Sequence, residues 1–187
     1  MKKQKVKLSV DSTTQSPFND DSIKILLSTA KAEYDNEHNR TGIIDTKVSI
    51  SLPIVSAFVL ALVQQNNFKA IFALPSYTFL LLLKPSILFL TYTGALFTGL
   101  ISVYSMTKVI LTREYKTLCI RDLYDEDILK STGVAYEAWI IKLYCESIEH
   151  NKNENDIRTS IYRRGWKSAF VALILFVIFS ILSNLFL

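Results

Sequence analysis

Uncharged stretches alternate with charged ones along this 187-residue chain. The longest uncharged stretch runs from Pro85 to Thr107, and its 23 residues include no Asp, Glu, Lys, Arg or His. As an α-helix it would extend roughly 34 Å, which is enough to cross a hydrocarbon layer of about 30 Å. Segments 48–63 and 168–187 are also free of charge. The pattern therefore predicts three membrane-spanning helices, at 48–63, 85–107 and 168–187.

A fourth apolar run, 70–83, is too short for a crossing and contains Pro75. It ends at Lys84, so a re-entrant or interfacial segment leading into the second span fits it better than a full crossing. The first span also contains a proline, Pro53, which membrane helices tolerate when neighbouring groups satisfy the freed carbonyl.

Polar segments flank the spans and predict helices outside the membrane. We expect a flexible basic arm at 1–18 and then a cytosolic helix at 19–47, capped near Asn19 or Asp20, that enters the first span without a turn. We expect a cytosolic helical region at 108–167, in which the second span continues as a helix through Leu118. The polar run 150–156 predicts a turn, with the last helix starting at Ile157. The fold class is thus an all-α integral membrane protein with three transmembrane helices, a re-entrant segment and a cytosolic helical bundle.

The distribution of basic residues favours three crossings. The arm and first helix, through Lys47, contain eight Lys and Arg, the 108–167 region contains eleven, and the connection between the first two spans contains two. With three crossings, 19 of the 21 basic residues lie on one side, which the positive-inside tendency identifies as cytoplasmic. A fourth crossing at 70–83 would separate the two basic groups.

Small and hydroxyl-bearing residues follow one stripe of the second span. They are spaced by four and three residues, which is the spacing of one helix face. Two interpretations stay open: close packing against other helices, or the lining of a hydrated pore formed by several copies. The stripe consists of Thr91, Ala95, Thr98, Ser102 and Ser105.

Charged residues form a second stripe that leads into the first span. Glu33, Glu37, Arg40 and Lys47 share one helix face. Such a stripe is either a solvated face or a mechanical connection between a cytosolic event and the membrane. Glu37 and Arg40 can form an ion pair three residues apart, although an exposed pair contributes only a few tenths of a kcal/mol.

Four basic residues precede the third span: Arg158, Arg163, Arg164 and Lys167. They fit an anchor for anionic lipids and a topology signal. They also fit a site for a phosphate-bearing or nucleotide signal, because guanidinium groups bind phosphate oxygens in pairs. No glycine-rich phosphate loop accompanies them.

The sequence shows no pattern typical of an enzyme or of a metal site. The two cysteines and two histidines do not cluster, and no arrangement of nucleophile and base is visible. We therefore expect no catalytic residue, no metal and no cofactor.

In chain order, Glu37, Arg40, Asp45 and Lys47 are followed by a span, a second span, a cytosolic helical piece and a last helix through Lys167. This order resembles the SLATT-like and Pycsar-type membrane effectors of bacterial anti-phage systems. The similarity covers most of the chain after about residue 25 and includes the loose string E-x-x-R-x-x-x-x-D-x-K, which adds Asp45 to the charged stripe. The chain departs from the pattern through the 70–83 run and the lack of a fused nucleotide-binding domain.

The resemblance implies a multi-pass protein of the bacterial inner membrane, with a cytoplasmic N-terminus. It implies a homo-oligomer, for example a tetramer, that opens a channel or pore on infection and disrupts the membrane. The implied partners are membrane lipid and a cyclic nucleotide or short oligonucleotide made by a partner nucleotidyltransferase or cyclase. The alternative function is a passive anchor or scaffold that recruits a cytosolic partner.

Overall fold

The computed structural model describes residues 20–64, 79–112, 114–119, 121, 124, 126–130 and 132–186. They form four helices, α1 (Asp20–Gln64), α2 (Phe79–Leu111), the short α3 (Glu126–Leu129) and α4 (Gly133–Phe186). The described part of the chain contains no β-strand. Three of the helices are long and apolar enough to cross a membrane, so the all-α class with three candidate spans is confirmed. The predicted arm at 1–18 and residues 70–78 of the predicted re-entrant segment lie outside the described residues.

Helix α1 begins at Asp20, one of the two residues expected near its cap, and includes Pro53 without a break. The predicted continuity between the polar helix and the first apolar segment is therefore confirmed. Helix α2 begins at Phe79, six residues before the predicted start of the second span, and includes Pro85. Pro85 is the seventh residue of α2 and has no N–H, so the Leu81 carbonyl lacks its usual intrahelical donor and the helix continues past this one missing bond.

The prediction that the second span continues as a helix through Leu118 is wrong. Helix α2 ends at Leu111, and the Thr112 N–H closes its last turn on the Lys108 carbonyl at 3.0 Å. Residues 114–119, which we call the strap, have no helical hydrogen bonding. The sequence predicts a helix for these residues. The strap is not helical because side chains from α4 bind its backbone, as described below.

The predicted turn at 150–156 and the separate helix from Ile157 are also wrong. Helix α4 runs unbroken through both. The Asn-rich composition of the run is typical of a turn. Here, however, Asn151 and Asn155 are buried at 0 % and 1 % exposure and bind groups outside their own helix.

The described residues divide into two compact units. The first takes its described residues from Met1–Tyr34 and Thr117–Ser147. Within it the rings of Tyr34 and Tyr144 meet edge to face, with centroids 5.4 Å apart. The Tyr34 hydroxyl also accepts a hydrogen bond from the Leu118 N–H at 3.2 Å. This pairing fixes the start of α1 against α4 inside that unit.

The second unit, Asp35–Lys116 and Ile148–Leu187, contains the three apolar segments, and we call it the membrane unit. Each of its long helices buries residues spaced alternately by three and four, with one additional step of four in α1. A period of 3.5 residues is typical of left-handed helix bundles, in which a narrow seam on each helix faces its partners. The seam residues are Glu37, Thr41, Ile44, Val48, Ser51, Val55, Val59 and Leu62 of α1; Leu88, Tyr92, Ala95, Gly99, Ser102, Met106 and Val109 of α2; and Ile148, Asn151, Asn155, Arg158, Tyr162, Gly165, Ala169, Ala172, Phe176, Phe179 and Ser183 of α4.

In the apolar part of the membrane unit, the seams contain small residues that allow close approach of the helix backbones. A Cβ built on Gly99 would lie 2.9 Å from Val59 Cγ2 and 3.9 Å from Ala172 Cβ, so Gly99 touches both neighbouring helices. Gly165 lies against α2, where its carbonyl accepts a hydrogen bond from Ser102 Oγ at 2.7 Å.

Contacts at the two ends of the membrane unit fix the directions of its helices. At one end the Tyr92 hydroxyl donates to the Leu62 carbonyl at 2.8 Å, and its ring packs on Phe179. At the other end Arg158 binds both α1 and α2. Helices α1 and α4 are therefore parallel and α2 is antiparallel to them, which brings the charged parts of α1 and α4 and the end of α2 to one end of the unit.

Candidate coupling site at the polar end of the spans

Polar side chains occupy the seam at the end where the apolar segments stop. Three are on α1 and three on α4, and together we call them the polar layer. Asp45 lies beside the seam and is about one-third exposed, whereas the α4 members are almost fully buried. The polar layer consists of Glu37, Thr41, Asp45, Asn151, Asn155 and Arg158.

Asn155 connects α4 to α1 through both ends of its amide. Its Nδ2 donates to the Glu37 carbonyl at 3.1 Å and to Glu37 Oε2 at 2.9 Å. Its Oδ1 accepts from the Thr41 hydroxyl at 3.0 Å. A buried amide without hydrogen-bond partners destabilises the folded state. These bonds therefore fix the register of the two helices.

Arg158 connects all three long helices. Only 2 % of it is exposed, and its Nη2 donates to Asp45 Oδ1. Its Nε donates to the Val109 carbonyl at 3.1 Å. That carbonyl belongs to the last turn of α2, where backbone acceptors lack intrahelical donors, so the guanidinium also caps α2.

Arg40 forms the outer edge of the site. Its Nη2 donates to Asp156 Oδ1 at 2.5 Å, and its Nη1 lies 3.5 Å from Glu37 Oε1, so the predicted Glu37–Arg40 pair is present. The hydrogen bond that Arg40 donates to Asp156 raises the pKa of Arg40, burial lowers it to a smaller extent, and the charges of Asp156 and Glu37 raise it further. Arg40 therefore stays charged throughout the accessible pH range.

Asn151 holds the strap by its backbone. Its Oδ1 accepts from the Lys116 N–H at 2.9 Å, and its Nδ2 donates to the Lys116 carbonyl at 3.1 Å. Next to it, His150 Nε2 lies 3.1 Å from the Glu114 carbonyl, and the Tyr115 ring packs edge to face on His38. The strap follows α2 directly, so a displacement of the strap is transmitted to the end of the second apolar helix.

The hydroxyl stripe of the second span lies inside the membrane unit or at its edge. Ala95 and Ser102 are fully buried seam residues. Thr91, Thr98 and Ser105 flank the seam, and each hydroxyl donates to a carbonyl four residues earlier in its own helix, at 2.7–2.9 Å. In a single copy of the chain, the packing interpretation accounts for these contacts.

The charged stripe and the basic cluster are brought together only in part. Glu33 is exposed and belongs to the first unit, while Lys47 is exposed at the start of the apolar part of α1. Glu37, Arg40 and Asp45 take part in the bonds described above. Of the basic cluster, Arg158 is buried and bound to Asp45, whereas Arg163, Arg164 and Lys167 are exposed.

Sequence reasoning missed Thr41, Asn151 and Asn155. The signal for Asn151 and Asn155 is a spacing of three and four residues that starts at Ile148, continues through the polar run and extends to Ser183, and Thr41 lies in a similar repeat on α1. A turn would interrupt this repeat, so its continuity is evidence for one long helix with polar residues on its buried face.

No group of three or more His, Cys, Asp or Glu within the described ranges is arranged to hold a metal ion. Comparison of the chain with family models, with curated proteins and with solved structures found no match.

Proposed function

We propose that this protein is a membrane effector of an anti-phage defence system. Copies of it oligomerise and disrupt the integrity of the bacterial inner membrane when a nucleotide-type signal reaches the polar end. The observation that carries the proposal is that α1 and α4 each contain part of the polar layer and a candidate span, and that Arg158 of α4 also binds the last turn of α2.

In the proposed mechanism the described arrangement is the resting state. The seams of α1, α2 and α4 are closed against one another, and the hydroxyls of the stripe bind carbonyls of their own chain. A signal at the polar end releases polar-layer contacts, the seams separate, and α2 presents Thr91, Thr98 and Ser105 to other copies. Hydrogen-bonded polar contacts suit such a switch because they specify one arrangement and can be exchanged for contacts with water or ligand.

The proposed trigger is a cyclic nucleotide or a short oligonucleotide made by a partner nucleotidyltransferase or cyclase, as the resemblance implies. Purified protein in liposomes, loaded with a self-quenched dye, should release dye when a matching signal is added. Cyclic mononucleotides, cyclic dinucleotides and short single-stranded DNA are the probes. If none of these probes causes dye release and expression of the protein is harmless to cells, the proposal is contradicted.

A reversible crosslink tests whether the seams must separate. The Cβ built on Gly99 lies 3.9 Å from Ala172 Cβ, close to the separation of Cβ atoms in a disulfide. The variant Gly99→Cys/Ala172→Cys, with Val59→Ala to make room and Cys119→Ser/Cys145→Ser to remove the native thiols, joins α2 to α4. Oxidation should abolish dye release and reduction should restore it, while each single-cysteine variant responds to neither treatment.

The second candidate function is a passive membrane anchor or scaffold. It is favoured by one observation, that the stripe hydroxyls already have hydrogen-bond acceptors within the chain. A scaffold would leave liposomes sealed under every condition, and the oxidised crosslink would not alter its activity in cells.

A further inference from the structure

The three apolar segments stop at one level of the membrane unit, and each stops at a basic residue. These are Lys47 on α1, Lys108 on α2 and Lys167 on α4. Val48 and Met106 belong to one buried cluster with Ala169, which places these boundaries at a similar height. A plane at which three helices change from apolar to cationic marks the position of lipid headgroups.

The ion pairs of the polar layer and of Arg40 lie outside this plane. Asp45 binds Arg158 and Asp156 binds Arg40. Among the described residues, no ion pair involves Lys47, Lys108, Arg163, Arg164 or Lys167. No Asp or Glu follows Asp45 in α1 or Asp156 in α4, and α2 has none. The boundary cations thus form no ion pair with the described acids of the membrane unit and are available to an anionic partner.

The α4 part of this boundary has the further features of an interfacial surface. Gly165 packs against Ser105 and Met106 of α2, with 3.3 Å from its built Cβ to each, so this turn of α4 lies beside the last apolar turn of α2. Trp166 is 43 % exposed and meets the Tyr162 ring edge to face. Exposed Trp beside long basic side chains is typical of the headgroup region, where the ring and the aliphatic stems lie in the apolar layer and the charges reach phosphate.

We propose that Arg163, Arg164 and Lys167, together with Lys47 and Lys108, form a belt that binds the phosphodiester headgroups of anionic glycerophospholipids. Lys47 also borders an open groove of about 650 Å³ on the outer face of α1, lined by Asn39, Gly42, Ile43 and Thr46, which has room for a headgroup. The belt is independent of the proposed effector function. It assigns the exposed part of the basic cluster to lipid and not to a soluble phosphate-bearing signal.

Spin-labelled lipids measure this preference in the full-length protein. The protein is reconstituted in phosphatidylcholine, and the motionally restricted fraction is compared for spin-labelled phosphatidylglycerol and phosphatidylcholine at low salt. Wild type should favour phosphatidylglycerol by about threefold or more, because each surface cation attracts anionic lipid measurably. Arg163→Gln/Arg164→Gln should lower the ratio to near one, whereas Arg163→Lys/Arg164→Lys should retain most of it.

Lys142→Gln/Lys152→Gln is the matched control, since it removes two exposed charges from the same helix away from the boundary. The control should keep the wild-type ratio, and circular dichroism should show equal helix content in all variants. An equal loss in the control, an unchanged ratio in Arg163→Gln/Arg164→Gln, or no preference in wild type would each overturn the proposal. Loss of the preference on adding inorganic phosphate at constant ionic strength would overturn it in favour of a soluble ligand.

Discussion

Arg158 and Asp45 are 113 positions apart in the chain and form an ion pair just outside the level where the apolar segments end. The pair is asymmetric, because Arg158 is 2 % exposed and the Asp45 side chain is 32 % exposed. Arg158 also donates to the last turn of α2, so this one guanidinium contacts every long helix of the membrane unit. Separation of the helices at this end must break its bonds.

The asymmetry leads to a prediction for the two partners. Arg158→Ala should lower the free energy of unfolding by about 3 kcal/mol, because it removes a buried donor from Asp45 and from the Val109 carbonyl. Asp45→Asn should cost less, since water reaches position 45 and the amide oxygen can still accept. Thermal unfolding in detergent measures both, with exposed Lys152→Ala as the control. Equal stability of Arg158→Ala and Lys152→Ala would contradict the assignment.

Asn155 and Asn153 form a matched pair on α4, the first buried and the second exposed. Asn155→Ala should cost about 2 kcal/mol, because it removes the three hydrogen bonds that this buried amide makes to Glu37 and Thr41. Asn153→Ala should change stability by less than about 0.5 kcal/mol. A loss of similar size in both variants would show that the effect comes from the helix surface and not from the polar layer.

Asn151 should control local opening of the strap. Its amide binds both the N–H and the carbonyl of Lys116, so Asn151→Ala should increase the hydrogen–deuterium exchange rate of the Lys116 amide by tenfold or more, as expected for the loss of about 1.4 kcal/mol of protection. Exchange in the middle of α2 should not change. If Lys116 exchanges at the wild-type rate in Asn151→Ala, the two hydrogen bonds do not hold the strap.

Gly99 and Gly42 test the close packing of the seams. A Cβ at Gly42 meets nothing within 4 Å, so Gly42→Ala should stabilise the protein by roughly 0.5–1 kcal/mol through helix propensity. The same change at Gly99 places a methyl group 2.9 Å from Val59 Cγ2, and it should be less favourable than Gly42→Ala by about 1–3 kcal/mol. Val59→Ala should recover part of that difference. No difference between the two glycines would contradict the described approach of α1 and α2.

The Arg40–Asp156 pair should contribute little to the free energy of unfolding. That contribution should not change through titration of Arg40. Because the pKa of Arg40 is raised, its stabilising contribution is present below its ordinary pKa and would be lost only as pH rises through the higher folded value, far above neutrality. Arg40→Gln should lower stability by less than about 1 kcal/mol, and by less still in high salt. Unfolding at several salt concentrations and at pH values from about 7 to 10 checks both statements.

The sequence predicts the number and type of the long helices because uncharged runs of this length have few other structures. It predicts the orientation of those helices about their axes less well. The hydroxyl stripe of α2 meets the observed seam at Ala95 and Ser102 only, while Leu88 and Met106, which look like lipid-facing residues, are buried. In lipid, apolar side chains are equally at home against a helix or against acyl chains, so composition alone does not identify the buried face.

The polar end was mispredicted for a different physical reason. Turn propensity describes what Asn does when it has only its local backbone to bind. At positions 151 and 155 the partners come from a strap and a helix that are distant in sequence, and these partners make a helix interior the better environment. The spacing of three and four residues through 151 and 155 indicates a continuous helix, whereas the Asn-rich composition does not.

The clamp of Asn151 on Lys116 contacts only main-chain atoms of the strap. Any residue except proline offers the same N–H and carbonyl, so the amino acids of the strap can diversify without loosening their attachment to α4. The sequence of this region can therefore vary while its link to the end of α2 is inherited unchanged.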